Sequence, residues 1–86
     1  MSDSRADRLR RVLESALHPT LLEIRDDSAK HAGHAGAREG GHFHVVIVTP
    51  GFAGVPALER HRMVYAAAAE LMGREIHALS IDARSA

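Results

Sequence analysis

The stretch FHVVIVTPGFAGVP, residues 43–56, carries the signals that decide the fold. Phe43–Val48 is rich in β-branched residues and predicts a strand, with Phe43 on the same face as Val45 and Ile47. The next segment, 50–54, is typical of a turn because it combines proline and glycine. Pro56 suits the first residue of a helix, where its fixed φ is favourable. A strand, a turn and a helix are therefore expected to follow one another here.

The helix that begins at Pro56 is predicted to end at Gly73, a natural C-cap. Its apolar side recurs at helical spacing, with His61 included as a packing residue among Leu58, Val64, Tyr65, Ala68, Leu71 and Met72. A last strand is predicted over Glu75–Asp82. Strands on either side of one helix are typically parallel and joined by a right-handed crossover.

The N-terminal part of the chain predicts a helix and then a short strand. Ser4 and Asp7 have the spacing of a capping box. An apolar stripe follows at helical spacing: Leu9, Val12, Leu13, Ala16 and Leu17. Pro19 ends this helix because the residue before a proline avoids helical angles. The strand is predicted over Thr20–Arg25, with alternating apolar and charged residues.

The predicted order is helix-strand-strand-helix-strand, which defines one fold class. The first two strands pair antiparallel and the last two parallel, so the sheet is three-stranded and mixed. Both helices bury their apolar sides on it, giving a single two-layer α+β domain over residues 1–86. The predicted core is Leu13, Leu17, Phe43, Val45, Ile47, Val64, Ala68 and Leu71, with Phe52 packed inward from the turn.

Composition excludes several classes of function. The 86 residues include no cysteine, so disulfides and thiol nucleophiles are ruled out, and the 11 basic residues balance the 11 acidic ones. Such a balance is not typical of proteins that coat nucleic acid or anionic membranes. No apolar run approaches the ~20 residues of a membrane helix, and the N-terminus lacks the apolar core of a secretory signal. We expect a soluble, cytoplasmic protein, and the absence of a nucleophile–base–acid set predicts no enzyme.

Four of the seven histidines lie at 31, 34, 42 and 44, in and just after a long glycine-rich loop, about 27–41. The predicted topology brings the loop to the start of the last strand, so His77 becomes its neighbour. Spacing alone favours structural histidines over ligands, and none of the loop spacings matches a zinc motif. His42 and His44 share one face of a strand, where a solvated surface is favoured over chelation of a divalent ion.

Six short motifs occur in an order that resembles the BolA-like family. They are Asp26-Asp27-Ser28, His31-Ala32-Gly33-His34, His42-Phe43, Phe52-Ala53-Gly54, Arg60-His61-Arg62-Met63-Val64-Tyr65 and His77-Ala78-Leu79. The resemblance covers nearly the whole chain, from Leu9 to Ile81. It implies the fold derived above, which is similar to the type II KH fold of nucleic-acid-binding domains.

The resemblance also implies a function. BolA-like proteins pair with monothiol glutaredoxins, and the pair shares a 2Fe-2S cluster with glutathione. The family pattern places this chain's ligands at His77 and His31, which makes the chain a histidine-loop type. His34, three residues from His31, is either a substitute ligand or a polar residue of the loop. It implies a non-enzymatic adaptor in iron–sulfur cluster assembly, trafficking or iron sensing. The free protein is expected to be a monomer or a weak dimer, without membrane contact.

Two alternatives remain open at this point. Some BolA-like proteins are described as transcriptional regulators that bind DNA, and here Gly51 and Gly54 have the spacing of the KH GXXG loop. Arg60 and Arg62 would project outward beside it and contact phosphates. Against this, the loop has no basic residue between its glycines. A third class is a metal buffer that uses the histidine loop without a partner.

Overall fold

A computed structural model describes residues 4–27 and 41–85. Its elements are helix α1 (Arg5–Leu17), strand β1 (Leu21–Asp26), strand β2 (Gly41–Thr49), helix α2 (Ala57–Ala67) and strand β3 (Ile76–Ser85). A short 3-10 helix, Pro50–Phe52, follows β2 directly. The predicted order of elements is therefore confirmed.

The three strands form one mixed sheet in the order β1-β2-β3. β1 runs antiparallel to β2, with Asp26 opposite Phe43, and β2 runs parallel to β3. Side chains of β2 alternate strictly between buried and half-buried positions. This is the pattern expected of a strand whose one face packs on a core.

A single hydrophobic core joins both helices to the sheet. Its buried members are Leu9, Leu13, Phe43, Val45, Ile47, Phe52, Val64, Ala68, Leu71, Ile76 and Leu79. The predicted core is confirmed except at Leu17, which is half-buried. The inward packing predicted for Phe52 is also confirmed, since its side chain is 0% exposed.

The ends of α1 follow the sequence signals closely. The Ser4 hydroxyl accepts from the Asp7 backbone N–H, and the Asp7 carboxylate accepts from the Ser4 N–H, as a capping box requires. His18 closes the helix in a left-handed conformation, with φ 48°. Thr49 then ties this helix end to β2, because its buried hydroxyl donates to the Leu17 carbonyl at 2.9 Å.

The register and length of α2 differ from the prediction. Pro56 is the N-cap rather than the first helical residue, and the helix ends at Ala67 instead of Gly73. Gly73, with φ 80°, lies in the later turn before β3. The predicted burial of His61 is wrong, since this residue is exposed. The run of alanines at 66–69 makes the sides of the predicted helix similar in hydrophobicity. An apolar stripe can therefore be drawn on this helix at more than one rotation about its axis.

The residues that do face the core from α2 are Val64 and its half-buried neighbours Met63 and Ala67. Leu58 and Tyr65, which the pattern also placed on the core side, are 63% and 41% exposed.

Candidate functional site

Three chain segments meet at one end of the sheet. β1 ends there at Asp26, and β2 begins there at Gly41, whose backbone N–H donates to the Glu75 carbonyl at 2.9 Å. The described ends on either side of residues 28–40, Asp27 and Gly41, therefore lie beside the start of β3, as the predicted topology requires. His31 and His34 lie outside the described residues.

His77 sits in a β-bulge at this end. Gly41 pairs with Ile76 and the next residue, His42, pairs with Ala78, so His77 has no opposite residue on β2. A bulge of this kind re-aims the side chain of the extra residue. His77 is accordingly exposed, while Ile76 before it is buried in the core.

The bulge also has a signal in the sequence. Ile76 and Leu79 are both buried, yet they are three residues apart in one strand. Strict alternation allows only even spacings on one face, so one extra residue has to lie between them. Apolar residues three apart at the start of a strand are the pattern that points to such a bulge.

His42 is the second imidazole of the site. Its ring centroid lies 5.1 Å from that of His77, and the two ring planes are tilted by 47°. His42 is half-buried, like His44, on the face of β2 that points away from the core. The shift of register at the bulge is what brings the ring beside His77.

A shallow depression lies beside this pair. It is lined by Asp27, His42, Phe43, Ala78, Leu79 and Ser80. The Asp27 backbone N–H donates to the His42 carbonyl at 2.7 Å, which extends the β1–β2 ladder to the edge of the site. The Asp27 carboxylate accepts from Arg25 Nε at 2.8 Å, and this hydrogen bond raises the pKa of Arg25.

His44 lies two residues further along β2, on the same face as His42, and has a different neighbour. Its Nδ1 lies 3.0 Å from the Ser80 hydroxyl. Next to it, the hydrogen bond from Arg84 lowers the pKa of Asp82, and attraction to His44 adds to this effect. His44 is therefore part of a polar network on the sheet surface.

Two of the described imidazoles lie close enough together to be considered as metal ligands. Within residues 4–27 and 41–85, no three His, Cys, Asp or Glu side chains are arranged to hold a metal ion. Imidazoles are suitable ligands for one iron of a two-iron cluster, as in His-ligated centres. His77 and His42 are the described imidazoles that could supply such ligands.

The residues of the nucleic-acid alternative lie at the other end of the sheet. Arg60 does not project outward as predicted: it donates to the carbonyls of Val55 at 2.7 Å and Ala83 at 3.2 Å. Its guanidinium also lies 5.9 Å from the centre of the Phe52 ring. The buried ring and the two carbonyls hold this cation within the fold.

The other three residues of that alternative remain near the surface. Gly51 and Gly54 flank the buried Phe52, and both are exposed. Gly54 has φ 73°, a conformation that favours glycine for steric reasons. Arg62 is exposed as predicted, and it donates to Glu59 at 2.6 Å.

Two helices packed on a three-stranded mixed sheet, with a histidine site where the two parallel strands begin, define the class of this domain. A family model described as BolA-like protein matches residues 13–86. The chain therefore belongs to the BolA-like family, which confirms the resemblance seen in its motifs.

Individual relatives agree with this assignment. Human BolA-like protein 1 is 46% identical over 77 residues, which cover 90% of this chain and 55% of the relative. The DNA-binding transcriptional regulator BolA of Escherichia coli is 39% identical over 75 residues, covering 87% of this chain and 70% of the relative. The chain spans about half the length of the first curated relatives it matches.

The fold has solved counterparts. The structure of BolA1 from Arabidopsis thaliana matches with a TM-score of 0.85 and 41% identity, and the match covers 99% of this chain and 95% of that one. The two-helix, three-stranded α+β fold is thereby confirmed. Among the described residues, no helix has the length and apolar character needed to cross a membrane.

Proposed function

We propose that this protein is a non-enzymatic adaptor that contributes histidine ligands to a 2Fe-2S cluster shared with a monothiol glutaredoxin and glutathione. The observation that carries the proposal is the exposed His77 on its bulge, 5.1 Å from the ring of His42. Membership of the BolA-like family supports it.

Histidine ligation has consequences for the cluster. Replacing thiolate by neutral imidazole on one iron raises the reduction potential of a two-iron cluster. A ligating nitrogen has to be free of its proton, so acid competes with the metal for this site. We therefore expect the shared cluster to become labile as pH falls through the range where histidine titrates.

The second ligand has two candidates. The family pattern places it at His31, for which the nearby His34 could substitute, and the geometry adds His42 because its ring already lies beside that of His77. His77 is common to both possibilities, and the β2–β3 ladder holds it in place. Removal of His77 should therefore have the largest effect.

The test is anaerobic cluster reconstitution with a monothiol glutaredoxin and glutathione, followed by visible absorption and circular dichroism. We expect the protein to change the spectrum of the glutaredoxin cluster, and His77→Ala to abolish that change. His61→Ala is the matched control, because His61 is also exposed but lies on α2. A cluster spectrum that the parent protein leaves unaltered would contradict the proposal.

Two further variants identify the second ligand. If His31 is the ligand, His31→Ala should shift the spectrum and His42→Ala should not, whereas the reverse result assigns His42. If both single variants retain the parent spectrum and the double variant does not, the two histidines substitute for each other. Cluster lifetime in the presence of a chelator gives a second readout for each variant.

A second candidate function is DNA binding, and it rests on the relative from Escherichia coli, which is named as a DNA-binding regulator. The structure gives this candidate fewer free cations than the sequence suggested, since Arg60 donates to two backbone carbonyls. Arg62 remains as the exposed cation of that surface. Tight, sequence-specific binding at ~0.15 M salt, together with a glutaredoxin complex indifferent to His77→Ala, would favour this candidate.

A further inference from the structure

The outer edge of β3 is partly closed by side chains of α2. The direction of the backbone groups follows from two hydrogen bonds: the Asp27 N–H donates to the carbonyl of His42, and the Gly41 N–H donates to that of Glu75. The backbone N–H and C=O groups of even-numbered residues in β2 therefore point to β1, and those of odd-numbered residues point to β3. In the parallel register of β2 with β3, the groups that point away from the sheet belong to Ile76 before the bulge and to Leu79, Ile81, Ala83 and Ser85 after it.

Two of these five outward carbonyls have a donor from α2, and that of Ile76 accepts from the Gly73 backbone N–H at 2.9 Å. The Tyr65 hydroxyl donates to the Leu79 carbonyl at 2.7 Å. Arg60 Nη1 donates to the Ala83 carbonyl at 3.2 Å. The two capped carbonyls stand symmetrically on either side of Ile81.

This symmetry matches what a second copy of the chain would need. In a two-fold antiparallel pairing of β3 with itself about Ile81, Leu79 of one copy lies opposite Ala83 of the other. Each of these pairs exchanges two backbone hydrogen bonds and uses both carbonyls. The carbonyls that Tyr65 and Arg60 occupy are thus the ones that flank the centre of such a dimer. No like charges lie directly opposite in this register, because Ser80 faces Asp82.

We propose that Tyr65 and Arg60 close the outer edge of β3 against a second copy of this chain, and that releasing both opens an antiparallel β3–β3 dimer. An exposed edge strand is a template for pairing, and proteins protect such edges in several ways. Here the protection is a pair of hydrogen-bond donors carried by the neighbouring helix. This inference is independent of the cluster site, which lies at the start of β3.

The test compares the parent with the double variant Tyr65→Phe/Arg60→Met by sedimentation velocity over a concentration series. Forming the two-fold dimer breaks four hydrogen bonds, those from Tyr65 and Arg60 in each copy, which we call caps. One net hydrogen bond corresponds to about a factor of five in an equilibrium constant. The dimer Kd of the double variant should therefore fall by roughly 600-fold relative to the parent. Arg62→Met is the matched control, since Arg62 bonds Glu59 within α2.

Hydrogen exchange identifies the surface used. In the double variant, the outward amides of Ile81 and Ala83 should become protected as concentration rises, and those of the control should not. Association without this protection would overturn the proposal, because another surface would then be responsible. A folded double variant that stays monomeric would overturn it equally.

A single substitution keeps the proposal testable if the double variant fails to fold. Tyr65→Phe removes one oxygen atom and retains the ring, so it releases two of the four caps. Its dimer Kd should fall by about 25-fold relative to the parent. An unchanged Kd in this variant would refute a capping role for the hydroxyl.

Discussion

Two leucines in the C-terminal half of the chain, Leu58 in α2 and Leu71 in the turn region after it, give a sharp test of which apolar residues face the core. Leu71 is 8% exposed and belongs to the core, whereas Leu58 is 63% exposed. The same substitution to alanine removes the same atoms at both positions, so the difference between the variants reports burial. The apolar pattern of the sequence assigns both residues to the core side, but the structure assigns only Leu71.

The magnitude follows from the atoms lost. Leu→Ala removes about three carbon atoms at ~0.8 kcal/mol each, or about 2.4 kcal/mol when the side chain is fully buried. Leu71→Ala adds a cavity cost, so a loss of about 2–4 kcal/mol in the free energy of unfolding is expected. Leu58→Ala should lie within about 1 kcal/mol of the parent, because most of this side chain already contacts water.

The assay is urea denaturation followed by far-UV circular dichroism, with the slope of the transition compared between variants. Equal slopes mean that the change in midpoint reports stability alone. If Leu58→Ala destabilises the protein as much as Leu71→Ala does, the register of α2 described above is wrong. A neutral Leu71→Ala would refute the burial argument itself.

Three further expectations follow from other contacts. Thr49→Val should cost about 1–3 kcal/mol of stability in urea, since it leaves the Leu17 carbonyl and the Gly51 N–H without their buried hydroxyl partner, and Thr49→Ser should retain most of the parent value. Because pairing with Arg84 lowers the pKa of Asp82, its contribution is present above the ordinary carboxyl range and is lost as pH falls through that lowered pKa. The decline of the parent's stability below about pH 4 should therefore be shallower in Asp82→Asn, as measured by thermal melting across pH. If α2 contacts duplex phosphates, Arg62→Ala should reduce the salt slope of DNA binding by about one, as measured by fluorescence anisotropy.

The fold was predictable because local signals agreed with one another. The β-branched run of β2, the glycine-proline turn and the capping box at Ser4 each specify one element, and the topology follows from their order. The rotation of α2 was not predictable in this way, because its alanines pack on a core or face water with similar ease. Only the contacts of the folded chain distinguish Val64 from Tyr65 as the inward residue.

The site was predictable in part. Topology alone placed His77 beside the end of the histidine loop, since parallel strands begin at the same end of a sheet. The pairing of His77 with His42 depends on the bulge, which arises because Ile76 and Leu79 both enter the core. Arg60 gave no local signal at all: its partners, Val55 and Ala83, are defined by tertiary structure.

The two ends of the sheet differ in what their charged and polar groups do, and this difference is testable. At the end of β2 and β3, Arg60 links Phe52 to the Ala83 carbonyl, so its donors serve the fold. At their start, His77 is exposed on a bulge and is not part of the core. Arg60→Met should therefore cost about 2 kcal/mol in urea, because it removes two side-chain hydrogen bonds to backbone carbonyls.

The same Arg60→Met variant should leave the spectrum of a cluster shared with glutaredoxin unchanged, provided that it is measured where the protein remains folded. His77→Ala should show the opposite pattern, with stability within about 0.5 kcal/mol of the parent and an altered cluster spectrum. Both variants would be compared by urea denaturation and by visible circular dichroism of the reconstituted complex. If Arg60→Met alters the cluster, or His77→Ala destabilises the fold as much as Arg60→Met does, then one end of the sheet does not work independently of the other.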